Sequence, residues 1–140
     1  MILLDTNVIS EPLRFAPEPL VVEWLDAQLL ETLFLSVVTV AEMRFGVARL
    51  PNSRRRNSLS KQFETQVLPA FAGRVLSFDL AATQAYADLM AKAQATGQAI
   101  GMADGMIATI AKANGMTVAT RNVNPFNAVG VSVIDPWTAI

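Results

Sequence analysis

Met1-Ile2-Leu3-Leu4-Asp5-Thr6-Asn7 opens the chain, and the architecture turns on what this stretch becomes. Four apolar residues followed by an acid, a hydroxyl and an amide predict a short buried strand whose C-terminal end meets polar chemistry. In open α/β sheets ligands lie outside the carboxyl ends of the strands, which makes Asp5 a candidate functional carboxylate. Capping of the next helix by Asp5 or Thr6 accounts for the same residues, and this stretch alone leaves both open.

The rest of the chain narrows the chemistry. Its 140 residues suit one domain, 52% are hydrophobic and 16% charged. Such an excess of apolar residues fits a parallel sheet covered on both faces and apolar surface shared with a partner or a second copy. No run reaches the ~18 apolar residues of a membrane span. The opening stretch has no basic segment before it, so it does not resemble a signal peptide, and a cytoplasmic protein is expected. With no Cys and no His, the chain cannot build a disulfide, a structural zinc site, a Ser-His-Asp triad or a Cys-His dyad. Hard-metal chemistry on carboxylate oxygens survives that exclusion. The net charge of −1 means that nucleic-acid binding would need a local basic patch.

In order, Val8 to Glu11 predicts a short helix, and apolar residues from Leu20 to Leu25 recur at helical spacing. Leu33 to Val38 reads as a buried strand, and a helix is expected to start at Thr39. Thr39-Val40-Ala41-Glu42 is a capping-box pattern, yet Glu42, like Asp5, falls where a strand hands over to a helix. Residues 51–61 are basic around Arg54-Arg55-Arg56, either a solvated helix start or a phosphate-contacting rim. Arg74 to Phe78 predicts a third strand and Asp79 the N-cap of a long helix. Met102 to Ala113 reads as a buried helix with Asp104 in its first turn. Dipole stabilisation of roughly 0.3–1 kcal/mol accounts for an acid there, but on an apolar helix it also calls for a partner. Met116 to Thr120 is the fourth strand, residues 121–126 a loop, and Val131 to Ile134 a final strand.

Three acids, Asp5, Glu42 and Asp104, thus follow strand one, follow strand two, and begin the helix before strand four. Two carboxylates ~4 Å apart repel by about 4 kcal/mol at an effective dielectric near 20, a cost that a divalent cation removes. The Leu4-Asp5-Thr6-Asn7 opening, the Thr39-Val40-Ala41-Glu42 step, the Ala103-Asp104 helix start and the Ala119-Thr120-Arg121-Asn122 loop together resemble a PIN domain. The likeness extends to the Val133-Ile134-Asp135-Pro136-Trp137 end, and is to the VapC-type toxin ribonucleases in particular.

That resemblance implies a single domain over residues 1–140 with a three-layer α/β/α fold and a central, mainly parallel sheet of four to five strands. It implies Mg²⁺- or Mn²⁺-dependent endonucleolytic cleavage of RNA, a homodimer, and a cognate VapB-like antitoxin that blocks the acidic pocket. It matches Asp5, Glu42 and Asp104 to the family's acidic metal ligands. Thr6, Asn7 and Thr120 match its supporting polar positions. Where the family usually carries a fourth acid, this chain has Asn122 and Pro125. Asn122 offers only a neutral oxygen, which counts against a second tightly held metal ion. Arg121 and Arg54 to Arg56 are the candidate RNA contacts.

Two other enzyme classes fit poorly. A haloacid-dehalogenase-type phosphatase needs a second Asp at position 7, which holds Asn, and a receiver domain needs paired acids and a Lys that are missing. The competing reading is a catalytically silent PIN-like module that binds RNA or protein.

Overall fold

Leu3 and Leu4 are both fully buried, and they belong to two different hydrophobic clusters. Adjacent strand residues point to opposite faces, so the strand that carries them is covered on both sides. This is β1, Ile2–Leu4, in a computed structural model that describes residues 1–138. Residues 139 and 140, which the expected domain includes, lie outside the described residues. One cluster joins Leu4 to Val8, Val21, Val40 and Phe63; the other joins Leu3 to Ile107, Ile110, Val118 and Phe126. Helices therefore pack on both faces, which makes the three layers expected from the sequence. Full burial of a leucine contributes about 1.5–3 kcal/mol, so β1 anchors both halves of the core.

The sheet has five strands in the order β3-β2-β1-β4-β5. They are β1, β2 (Leu33–Ser36), β3 (Val75–Leu76), β4 (Thr117–Ala119) and β5 (Val133–Ile134), and every pair is parallel. Leu3 stands opposite Phe34 on one side and Val118 on the other. The chain builds outward from β1 through β2 to β3, then returns to the far side of β1 for β4 and β5. The order therefore reverses between β1 and β4, and a crevice opens there outside the carboxyl ends of the strands.

Helical crossovers join the strands. They are α1 (Thr6–Ser10), α2 (Pro19–Asp26), α3 (Val37–Ala48), α4 (Arg54–Gln62), α5 (Leu68–Ala70), α6 (Leu80–Ala95), α7 (Met102–Ala113) and α8 (Val123–Ala128). A π turn over Phe63–Val67 joins α4 to α5, and Gly73, at φ +78°, turns the chain toward β3. Asp79 caps α6 as predicted, accepting from the Ala82 N–H at 2.9 Å. Among the described residues no helix is long and apolar enough to cross a membrane.

Several elements are shorter or shifted relative to the sequence reading, among them α1, β3 and β5, and two differences bear on the site. The helix after β2 starts at Val37 rather than Thr39, because the buried Ser36 hydroxyl accepts the Thr39 N–H at 3.1 Å and acts as N-cap. Val37 and Val38, β-branched residues read as strand, form its first turn. The segment expected as a loop after β4 contains α8, with Pro125 at its third position. A proline is tolerated there because the first four helical N–H groups have no partner within the helix.

Candidate active site

Asp5 follows β1 and precedes α1, and the helix-cap reading of it holds. Its Oδ1 accepts the Thr6 N–H at 2.8 Å as the helix N-cap. Its Oδ2 accepts the buried Thr120 hydroxyl at 2.8 Å and faces the Asn7 amide at 3.5 Å. The Asp5 N–H continues the sheet by donating to the Ala119 carbonyl at 2.9 Å. The bonds to Thr120 and Ala119 cross between β1 and β4, so the strand-order reversal places the carboxylate there. Only 5% of Asp5 is exposed, and burial pushes its carboxyl up to about 6 from 3.8. The Thr120 and Thr6 hydrogen bonds oppose that rise, while repulsion from Asp104 and Glu42 adds to it.

Glu42 lies on the second turn of α3 and is exposed. The capping-box reading is overturned, since Ser36 holds the cap and the Glu42 side chain does not return to Thr39. Instead Glu42 Oε1 accepts the Thr6 hydroxyl at 2.6 Å. The Thr39 hydroxyl, fully buried, lies 3.3 Å from that of Thr6 and 3.4 Å from that of Ser36. A line of hydroxyls therefore runs from the core to Glu42.

Asp104 is half-buried in the first turn of α7. Its carboxyl is raised by burial and by Glu42, and lowered by the Asn122 amide, which donates to Oδ2 at 3.3 Å. Thus Asn122 presents a donor rather than an oxygen to Asp104. Asn122 and Asn7 also brace the loop after β4. The Asn122 N–H donates to the Thr120 hydroxyl at 3.0 Å, and the Arg121 N–H to Asn7 Oδ1 at 3.3 Å.

The three acids feel one another's charge, yet among the described residues no three acids form a ready metal-ligand cluster. Each is held by its own neutral donor: Thr120 for Asp5, Thr6 for Glu42, Asn122 for Asp104. Among the described residues no buried side-chain nitrogen or oxygen lacks a hydrogen-bond partner.

The basic residues divide. A groove of about 450 Å³ leads away from Thr6 and Glu42 and is lined also by Arg14, Phe45, Arg49 and Arg55. Arg56 lines a different groove beside Arg44 and Glu64, and Arg54 borders neither. Successive helical residues are turned ~100° from one another, so Arg54-Arg55-Arg56 on α4 does not make one rim. Arg121 stands over the Trp137 ring, with Cζ 5.1 Å from its centroid. Sequence reading missed Arg14 and Phe45 as groove residues. Phe45 and Arg49 sit three and seven positions after Glu42, a helical spacing that carried the signal.

A reversing parallel sheet with a hydroxyl-braced acidic crevice at its switch point defines an open α/β protein with carboxylates at the mouth of that crevice. The chain belongs to the PIN domain family, whose model matches residues 2–131. It is 58% identical over 139 residues to the plasmid stability protein StbB of Pseudomonas syringae, covering 99% of this chain and all of that protein. Against the VapC ribonuclease Y4jK of Sinorhizobium fredii the identity is 55% over 137 residues, covering 98% of each. Toxin FitB of Neisseria gonorrhoeae is 50% identical over 137 residues, covering 98% of this chain and 99% of FitB. The crystal structure of FitAcB from the same organism superposes with a TM-score of 0.95, covering 99% of this chain and all of that one.

Proposed function

We propose that this chain is the toxin of a toxin-antitoxin pair, a divalent-metal-dependent endoribonuclease of VapC type that hydrolyses RNA phosphodiester bonds. The observation that carries the reading is Asp5, a buried carboxylate at the switch point that is raised by burial and by two neighbouring acids. A protein retains so costly a group where its charge has work to do. Relatives named as a VapC ribonuclease and as a toxin support the same assignment.

The donor set suits a hard cation, being carboxylate and hydroxyl oxygens without a thiolate or imidazole. Asp5, Asp104 and Glu42 would hold Mg²⁺ or Mn²⁺, with Thr6 and Thr120 orienting two of the carboxylates. When bound, such an ion supplies positive charge against the phosphate and makes deprotonation of a nearby water accessible near neutral pH. Asn122 in place of an acid favours one such ion over two. The chain's own residues set the acids' positions and exclude water from Asp5.

The partner that follows is a cognate VapB-like antitoxin, and the assembly is a homodimer. Exposed Phe15 (94%) and Leu80 (87%) are apolar surface that such contacts would cover. Purified chain incubated with unfractionated RNA and Mn²⁺ should yield discrete fragments, whereas Asp5→Ala protein should not. Mn²⁺ calorimetry should show binding to the wild type and its loss in Asp5→Ala. RNA binding without cleavage at any divalent-ion concentration would favour the silent module instead.

A further inference from the structure

The groove leaving the acidic site combines features that a purely electrostatic phosphate track does not need. Phe45 lies one turn beyond Glu42 on α3 and is 67% exposed, although a phenylalanine is ordinarily buried. The Arg49 guanidinium stands over its ring, Cζ 5.9 Å from the centroid. Across the groove, Arg55 Nη2 donates to the Leu13 carbonyl at 3.4 Å, which fixes α4 against the turn that carries Arg14. Arg14 pairs with the buried Glu11 at 3.2 Å but keeps 62% of its side chain exposed. An aromatic ring, two guanidiniums without an acidic partner among the described residues and an acid thus line one channel. Glu42 and Arg49 are ~10 Å apart along the helix axis at ~1.5 Å per residue.

Proteins recognise single-stranded RNA by stacking splayed bases on aromatic rings and on guanidinium planes while arginines follow the backbone. We propose that Phe45 is a base-stacking, specificity-determining residue, which holds an unpaired RNA base beside the phosphate to be cleaved, with Arg49 and Arg55 against the adjoining backbone. This rests on the endoribonuclease reading above. It restricts that activity to single-stranded segments, because a base inside a duplex is already stacked and paired. An apolar peptide segment would fit Phe45 and the aliphatic side chains of Leu13, Met43, Val47, Leu50 and Leu59, which share the groove, but would leave its arginines unmatched. Charge complementarity decides for RNA, since Arg49 over the ring and Arg14 and Arg55 along the groove match a phosphate backbone.

The test compares wild type with Phe45→Ala, Phe45→Leu and Phe45→Tyr. A short unstructured RNA carrying one 2-aminopurine is titrated without divalent ions, and the fluorescence quenching produced by stacking is read. The same RNA is then cleaved with Mn²⁺ to separate KM from kcat. Quenching by wild type and Phe45→Tyr, but not by the Ala and Leu variants, is expected. KM should rise about tenfold in the Ala and Leu variants with kcat little changed, and the Tyr variant should restore it. Equal quenching and KM in wild type and Phe45→Leu would overturn the proposal, since leucine keeps the apolar contact and loses the π face. Absence of quenching by the wild type would overturn it too, as would Phe45 variants that weaken only a protein complex. If the wild type quenches but cleaves nothing, the endonuclease reading fails while the stacking site stands.

Discussion

The Thr6 hydroxyl donates to Glu42 Oε1 at 2.6 Å, so the residue after the first acid holds the second. Thr6→Val preserves shape and removes that donor together with the hydroxyl's contact to Thr39. A supporting partner of this kind is worth about 10–100-fold in metal affinity or activity, and Thr6→Val should lose RNA cleavage in that range. Thr6→Ser should retain it. The bond is exposed, so its loss should change stability by no more than about 1 kcal/mol, read as a shift in urea midpoint.

Asp5 makes the metal-free protein sensitive to pH in a definite direction. Its folded carboxyl titrates at about 6 against 3.8 unfolded. Below the unfolded value both states are protonated and there is no effect. As pH rises from about 4 to about 6 the unfolded chain ionises first and stability falls, reaching a loss of about 3 kcal/mol that stays constant above. Urea unfolding of wild type and Asp5→Asn in chelator, from about pH 4 to about pH 7, should show this difference narrowing toward acid.

Asn122 donates its amide to Asp104, and replacing it with Asp puts a carboxylate where the donor was. Asn122→Asp should destabilise the metal-free protein by about 1 kcal/mol through like-charge repulsion. The same change should tighten Mn²⁺ binding by about tenfold or more, because affinity for hard cations follows ligand charge. Calorimetry with weaker or unchanged affinity would place Asn122 outside the ion's reach.

Arg55 lines the groove and Arg54 does not. For single strands the slope of log K against log salt changes by about 0.7 for each neutralised phosphate. Arg55→Ala should therefore make the slope for single-stranded RNA shallower by about that amount. Arg54→Ala should leave it unchanged, and equal effects from both would restore a single rim.

The strands at the site were legible because β1, β2 and β4 are short, largely apolar runs followed by or ending on polar residues, whereas the helix after β4 was not. Asp79 was legible as a cap for a local reason, its side chain serving the helix it begins. What escaped was set by competition between neighbours or by the third dimension. Ser36 and Thr39 are both plausible caps, and burial of Ser36 at the strand end decided between them. Residues 121–126 read as a loop, and Pro125 fits a helix there only because it lies in the first turn of α8. The arginine triplet is continuous in sequence and scattered in space. That Thr6 serves Glu42, and Thr120 serves Asp5, depends on pairings 36 and 115 positions apart, which no local pattern encodes.

The sheet order also sets when the protein can come into being during its own synthesis. β1 is made first, yet it stands in the middle of the sheet and takes β4 as a neighbour. Asp5 waits for Thr120, which follows it by 115 positions. Chains emerge from the ribosome N-terminus first, so a nascent chain carries its leading acid through nearly the whole of translation without the strand that seats it. The crevice closes only as the last elements emerge, so an unfinished chain lacks the assembled acidic site.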